Sequence, residues 1–340
     1  MVCMKRQRLF FPAAALAFVL ASAPPADAIS FFTPAYKREA AICAEELDKG
    51  NYSAAIVAGQ RSVEEKKDHF ESRYCLGRAY ARAGLASKAM EQLRAALPLA
   101  ETPNHTMVVN SDLGQLLQKE KDYPKALEHY DNALAYAIVT QDKRTRGLTL
   151  ANLASLFRER AETDKALEYY RRAVAEGEEA DSGAAWNNMG NILFAKMDHA
   201  AALDAYGRAA AVGEKLKDAL TSGIALLNIG NVLLAQKDLA GAGAKLGEGL
   251  AKVRSAKDAY WEAAAHEYFG RLHIASGDAG KAKEFFTAAR EKYRASHYEY
   301  EAQQMDMRLR ELDSAAQSKT GGTDNTPPAG ETIAVEPLPR

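Results

Sequence analysis

The chain copies one short unit along most of its length. A large apolar residue followed by a tiny one recurs as Leu76-Gly77, Leu113-Gly114, Leu153-Ala154, Met189-Gly190, Ile229-Gly230 and Phe269-Gly270. The tiny residues lie 37, 40, 36, 40 and 40 apart. Twelve residues after each stands Ala89, Ala126, Ala166, Ala202, Ala242 or Ala282. Four further on comes Leu93, Tyr130, Tyr170, Tyr206, Leu246 or Phe286, and three beyond that Ala96, Ala133, Ala173, Ala209, Gly249 or Ala289. A degenerate earlier copy begins near Tyr36, with Gly50, Tyr52 and Ala55 in register and Gly59 where the others carry a large side chain. A fixed period of this length marks stacked supersecondary units, each too small to bury its own apolar face.

Each unit reads as two helices. Apolar positions recur three and four apart, which is helical spacing. Asp122, Asp164, Asp198, Asp238 and Asp278 fall between the two helices, where a carboxylate can cap the second one. Of eleven prolines, none lies between Pro124 and Pro327, and Pro124 falls at a helix start, where proline is tolerated. Facing Gly and Ala residues let two helices approach closely, and the large residue fills the space beside them.

This pattern resembles the tetratricopeptide repeat over about residues 36–294. Trp186, Met189, Gly190, Leu193, Ala202, Tyr206 and Ala209 make the closest single copy. The spacing exceeds the usual ~34 residues of that family. Lys217-Asp218 and Lys257-Asp258 end two units, and Gly190-Asn191 and Gly230-Asn231 recur. These features look like the longer repeats of kinesin light chain and cell-polarity adaptors. The resemblance implies an all-α fold, a right-handed superhelical solenoid of about seven helix-turn-helix repeats, with the first helix of each lining a concave groove.

Residues two before and one after the tiny residue share one helical face. Asparagine is a poor helix-interior residue, because its amide competes for backbone hydrogen bonds. Asn152, Asn188, Asn191, Asn228 and Asn231 on first helices therefore ask for a reason, and Asn187 lies beside them. With Arg78, Gln115 and Arg271 they form the expected partner-binding groove. An amide ladder of this kind offers donors and acceptors to the main chain of an extended peptide, as similar long-repeat proteins use it. The competing explanation is that these amides bond between neighbouring repeats and fix the superhelix. Asp112 stands where a cation would be needed to capture a terminal carboxylate, so that variant of groove recognition is not supported.

The ends differ from the array. Lys5, Arg6 and Arg8 precede a twelve-residue apolar run, Leu9 to Leu20, followed by Pro24-Pro25 and the small-x-small site Ala26-Asp27-Ala28. This order matches a secretory signal peptide cleaved after Ala28. The run falls short of the ~20 apolar residues that cross a bilayer, so no integral membrane insertion is expected after cleavage. The expected compartment is the periplasm or the exterior. His297 to Leu312 continues as a polar amphipathic helix that caps the array. Residues 313–340 hold four prolines, three glycines and no aromatic residue, and read as a disordered tail. The expected division is thus 1–28, 29–312 and 313–340.

Other signals are weaker than they look. A formal net charge of −1 argues against a nucleic-acid partner. Gly241, Gly243, Gly247 and Gly249 suggest a phosphate loop but follow no strand. They fall in a second helix, which they should weaken, making that repeat the loosest. His266 and His273 are seven apart, which is not the spacing of helical metal ligands, and His273 occupies a packing slot. No catalytic group, metal or cofactor is expected. Cys43 and Cys75 remain after cleavage. A disulfide between them is open in an oxidising compartment, but Cys43 falls in a tiny-residue slot that suits a free buried thiol. The expected function is a non-catalytic scaffold holding a peptide segment or protein partner in its groove. The alternative is a structural part of an envelope assembly (pilus, secretion or outer-membrane machinery), docked through the convex face or the tail.

Overall fold

A computed structural model describes residues 33–321, and the expected signal peptide lies outside the described residues. All regular structure among the described residues is helical, in two compact units that meet in sequence at Glu178 and Glu179. The first holds α1 (Ala35–Asp48), α2 (Tyr52–Glu65), α3 (Phe70–Arg82), α4 (Ala86–Ala96), α5 (Pro103–Lys119), α6 (Tyr123–Val139), α7 (Lys143–Glu159) and α8 (Thr163–Glu176). The second holds α9 (Gly183–Ala195), α10 (His199–Leu216), α11 (Ala219–Ala235), α12 (Leu239–Ser255), α13 (Ala259–Ala275), α14 (Ala279–Ala295) and α15 (Glu299–Gly321). Within each unit successive antiparallel hairpins stack on one another.

The period has a simple origin. α5, α6, α7, α11, α12, α13 and α14 each run 17 residues, and the turns between them take three. The turn after α5 shows how three residues suffice. Lys121 adopts a left-handed φ of 63°, and the Asp122 N–H reaches back to the Leu117 carbonyl, which closes the old helix. The Asp122 side chain then accepts the Lys125 N–H and opens the next. One residue thus ends one helix and caps its successor. Gln141, Met197, Lys217, Lys237, Lys257 and Gly277 take the same left-handed place, each followed by a capping aspartate. Asp142, Asp218 and Asp258 therefore cap first helices, as Asp122, Asp198, Asp238 and Asp278 cap second ones. Asp164 departs from its expected role. α8 is preceded by Glu162, whose side chain makes no cap, and Asp164 lies inside the first turn, where its charge still suits the helix N-terminus.

Tiny residues and large ones mate across each hairpin. A Cβ placed on Gly190 would stand 2.5 Å from Tyr206 Cε1, and one on Gly270 2.5 Å from Phe286 Cε1. Side-chain atoms do not approach so closely, so these sites admit only glycine unless the ring moves. The paired large residues are fully buried, with Tyr130, Tyr170, Tyr206, Leu93, Leu246 and Phe286 at 0–2% exposure. In α12, Gly249 serves the same close approach, since its Cβ would meet Leu227 Cγ at 2.8 Å. The glycine-rich helix is therefore regular, and its contact with α11 is tight where Gly249 lies. Of the four glycines in α12, only Gly247 is exposed with nothing near it.

The first hairpin is built differently. Cys43 and Cys75 form a disulfide between α1 and α3. This corrects the expectation of a free buried thiol at Cys43. Beside the bridge lies Gly59, in the slot where later repeats place Leu, Tyr or Phe. With no side chain there, Leu76 of α3 packs straight onto the α2 backbone, and a Cβ on Gly59 would meet Leu76 Cβ at 3.0 Å. At the other end, α15 lays Ala302, Met305 and Leu309 against α13 and α14. Arg290 and Arg294 pair with Asp306, and Lys283 with Asp313. α15 continues through Gly321, so the tail boundary expected at Asp313 falls inside a helix.

Candidate functional site

In the first unit the candidate residues lie on α3, α5 and α7. Arg78 is buried, with its guanidinium carbon 5.6 Å from the Tyr74 ring centre and its Nε 4.0 Å from Asp112 Oδ2. Burial pushes the Asp112 carboxyl up, and Arg78 pulls it back down. Burial also pushes the Tyr74 phenol up, with the Asp112 charge adding to it. Arg78 is thus engaged by its own neighbours. Gln115 and Asn152 are half-buried and reach solvent. Gln118, one turn beyond Gln115, was not singled out from sequence. It accepts the Tyr130 hydroxyl at 2.9 Å and donates to Glu159 Oε1 at 2.9 Å, joining α5, α6 and α7.

In the second unit the candidates lie on α9, α11 and α13. Asn228 Nδ2 donates to Asn187 Oδ1 at 2.8 Å, and the Tyr268 hydroxyl lies 3.4 Å from Asn228 Oδ1. Asn187, Asn228 and Tyr268 are all buried. This chain joins three successive first helices. It takes Asn187 and Asn228 out of the ligand-facing set and assigns them to the contact between repeats. Asn231 is also buried, at 2% exposure. Its Oδ1 has no hydrogen-bond partner, and the reason is a substitution within the repeat. In the preceding hairpin the Tyr206 hydroxyl donates to Asn191 Oδ1 at 2.7 Å. Leu246 holds the tyrosine's place beside Asn231 and offers no donor.

Arg271 is also spent internally. It bonds Glu267, its carbon lies 5.6 Å from the Tyr268 ring centre, and Tyr293 adds a hydroxyl 3.4 Å from Glu267 Oε2. Burial, with Glu267 nearby, holds the Tyr293 phenol well above its usual range. Asn188 and Asn191 remain half-buried and reach solvent. Of nine candidates, Gln115 and Asn152 in one unit and Asn188 and Asn191 in the other therefore keep amide surface on the first-helix face. An amide there both donates and accepts, which fits main-chain groups of a polypeptide. His266 and His273 both pack against Phe285, the latter stacked at 5.2 Å.

Stacked helical hairpins with a tiny-to-large mate and a polar first-helix face define the tetratricopeptide-repeat class. Residues 105–175 match the tetratricopeptide-repeat family model, and the same hairpin recurs on either side of that segment. The chain has the tetratricopeptide-repeat fold, and residues 105–175 carry that family's sequence pattern. Photosystem I assembly protein Ycf3 of Parasynechococcus marenigrum (strain WH8102) is 34% identical over 100 residues, which is 29% of this chain and 54% of that protein. Ycf3 of Prochlorococcus marinus (strain MIT 9301) is 32% identical over 80 residues, 24% of this chain and 44% of that one. The chain spans about half the length of the curated relatives it matches. BtubC (BKLC) from P. vanneervenii shares the fold with a TM-score of 0.52 at 21% identity, over 74% of this chain and 96% of that one. A Rap protein complexed with Competence and Sporulation Factor shares it with a TM-score of 0.54 at 12% identity, over 84% and 87%.

Proposed function

We propose that this protein is an exported scaffold that binds a peptide segment or protein partner along its first-helix face and carries out no reaction. The observation that carries this reading is the set of half-buried amides Gln115, Asn152, Asn188 and Asn191 on first helices. Polar groups held at fixed spacing on rigid helices bind with little reorganisation. The relatives named as assembly proteins support a role in bringing polypeptides together. Export rests on the leader sequence, and the Cys43–Cys75 bridge is consistent with it, since disulfides persist in oxidising compartments. The periplasm is the compartment proposed.

Affinity capture with mass spectrometry from the native envelope tests this reading. Wild type is compared with a combined Gln115→Ala, Asn152→Ala, Asn188→Ala and Asn191→Ala variant. A partner kept by wild type and lost by the folded variant supports it. A partner kept by both favours a second reading, a structural role in an envelope assembly docked through second helices. One observation speaks for that alternative: Tyr136, Ile138 and Val139 at the end of α6 are exposed, Val139 at 76%.

A further inference from the structure

Around the bridge, α1 and α2 meet α3 through small side chains. The cluster around the bridge consists of Cys43, Ala44, Ala55, Ala58, Cys75 and Ala79, with Leu47 and Ile56 at its edge. Alanines bury little apolar surface each, so this interface contributes far less than the Leu, Tyr and Val cores of later repeats. Beyond it, α2 adds Ile56 and Val63 to the edge of the α3 cluster. Polar ties complete the contact. Gln60 donates to the Tyr80 hydroxyl at 3.0 Å, and Ser62 bonds both the Tyr36 carbonyl and Ser72. Besides the chain itself at residues 66–69, the disulfide is the covalent link between this hairpin and α3. Cys43 has no exposure and Cys75 has 7%.

We propose that the Cys43–Cys75 disulfide is a redox latch on the terminal hairpin. Its reduction releases α1 and α2 from α3 and uncovers the α3 surface of Cys75, Leu76, Ala79 and Tyr80, while α5 to α8 stay folded. The reductant is a protein dithiol. Its thiolate attacks the Cys75 sulfur, the less buried of the two, and expels the Cys43 thiolate, which takes up a proton. The second reductant thiol then resolves the mixed disulfide, leaving two protein thiols and an oxidised reductant. The Cys75 sulfur is reached in a transient local opening, and reduction then makes that opening persist. Once the link is gone, loop-closure entropy no longer favours reclosure.

The full chain is studied by hydrogen exchange with mass spectrometry, oxidised and after a soluble dithiol. A Cys43→Ala, Cys75→Ala variant serves as a second measurement free of reductant, and alanine suits the small slots. The expected result is loss of protection across residues 35–65 by more than about tenfold in both the reduced and the variant protein, with residues 103–176 unchanged. Unchanged protection of residues 35–65 in either case overturns the proposal. So does a uniform loss across the whole first unit, because the hairpin is then not a separate element.

Discussion

The Asn187–Asn228–Tyr268 chain gives a sharp quantitative prediction. Asn228→Ala removes one bond of 2.8 Å and one long contact of 3.4 Å. It leaves Asn187 Oδ1 buried without its donor and takes one acceptor from the Tyr268 hydroxyl. Each loss costs about 1–3 kcal/mol, with the long contact at the low end. Alanine is the better helix former and returns about 0.6 kcal/mol. The net loss is about 2–3 kcal/mol, or about 1 M in urea midpoint for an m-value near 2 kcal/mol/M. The control is Asn231→Ala, three residues along the same helix. Its Oδ1 has no bond to lose, so the expected change is within about 0.5 kcal/mol or favourable. Both tryptophans of the chain, Trp186 on α9 and Trp261 on α13, lie in the second unit. Tryptophan fluorescence during urea unfolding therefore reports on the unit that holds the network. Equal shifts for the two variants, or a loss below about 0.5 kcal/mol for Asn228→Ala, refute the assignment of Asn228 to the contact between repeats.

Further expectations follow from single sites. Gly247→Ala should stabilise by about 0.5–1 kcal/mol through helix propensity, while Gly249→Ala should destabilise because its Cβ meets Leu227; thermal melts that move the two in the same direction contradict this packing. Burial first, with Arg254 and Lys292 adding, holds His266 below its ordinary pKa. The unfolded chain then binds more protons, so stability present above about pH 6.5 declines as pH falls through that value. His266→Gln should flatten the decline, and an unaltered pH profile rules out His266 as its source. Closing a loop whose ends are 32 residues apart is worth about 3.7 kcal/mol by chain entropy. Reduction should lower stability of the first unit by up to that amount in chemical denaturation, and an identical curve with and without dithiol contradicts it.

The fold was readable because packing left a periodic trace. Gly190 and Tyr206 are complementary in volume, and a tiny and a large residue at the same separation in six copies admit little besides a stacked hairpin. The site was harder. Residues one after and two before the tiny position lie on the border between the open face and the neighbouring first helix. At 100° per residue, small differences in helix rotation decide which side an amide takes. Asn188 stays at the surface while its neighbour Asn187 meets Asn228, and nothing local in the sequence separates them. The orphaned Asn231 was in principle legible, because Leu246 breaks the Tyr–Asn pairing that Tyr206 makes. The disulfide was not. Cys43 and Cys75 sit in differently numbered slots of their repeats, so the repeat pattern gives no reason to pair them. The helical run past Asp313 was missed because composition argues about cores, whereas a helix already docked by Met305 and Leu309 can extend until Gly321.

The proposed role places partners on the first-helix face. A photocrosslinking amino acid placed singly at Gln115 and Asn188, and for comparison at Ile138 and Asp204 on second helices, tests it in living cells. Discrete protein adducts are expected from Gln115 and Asn188 and none from Ile138 or Asp204. Adducts arising only from Ile138 or Asp204 would contradict that role.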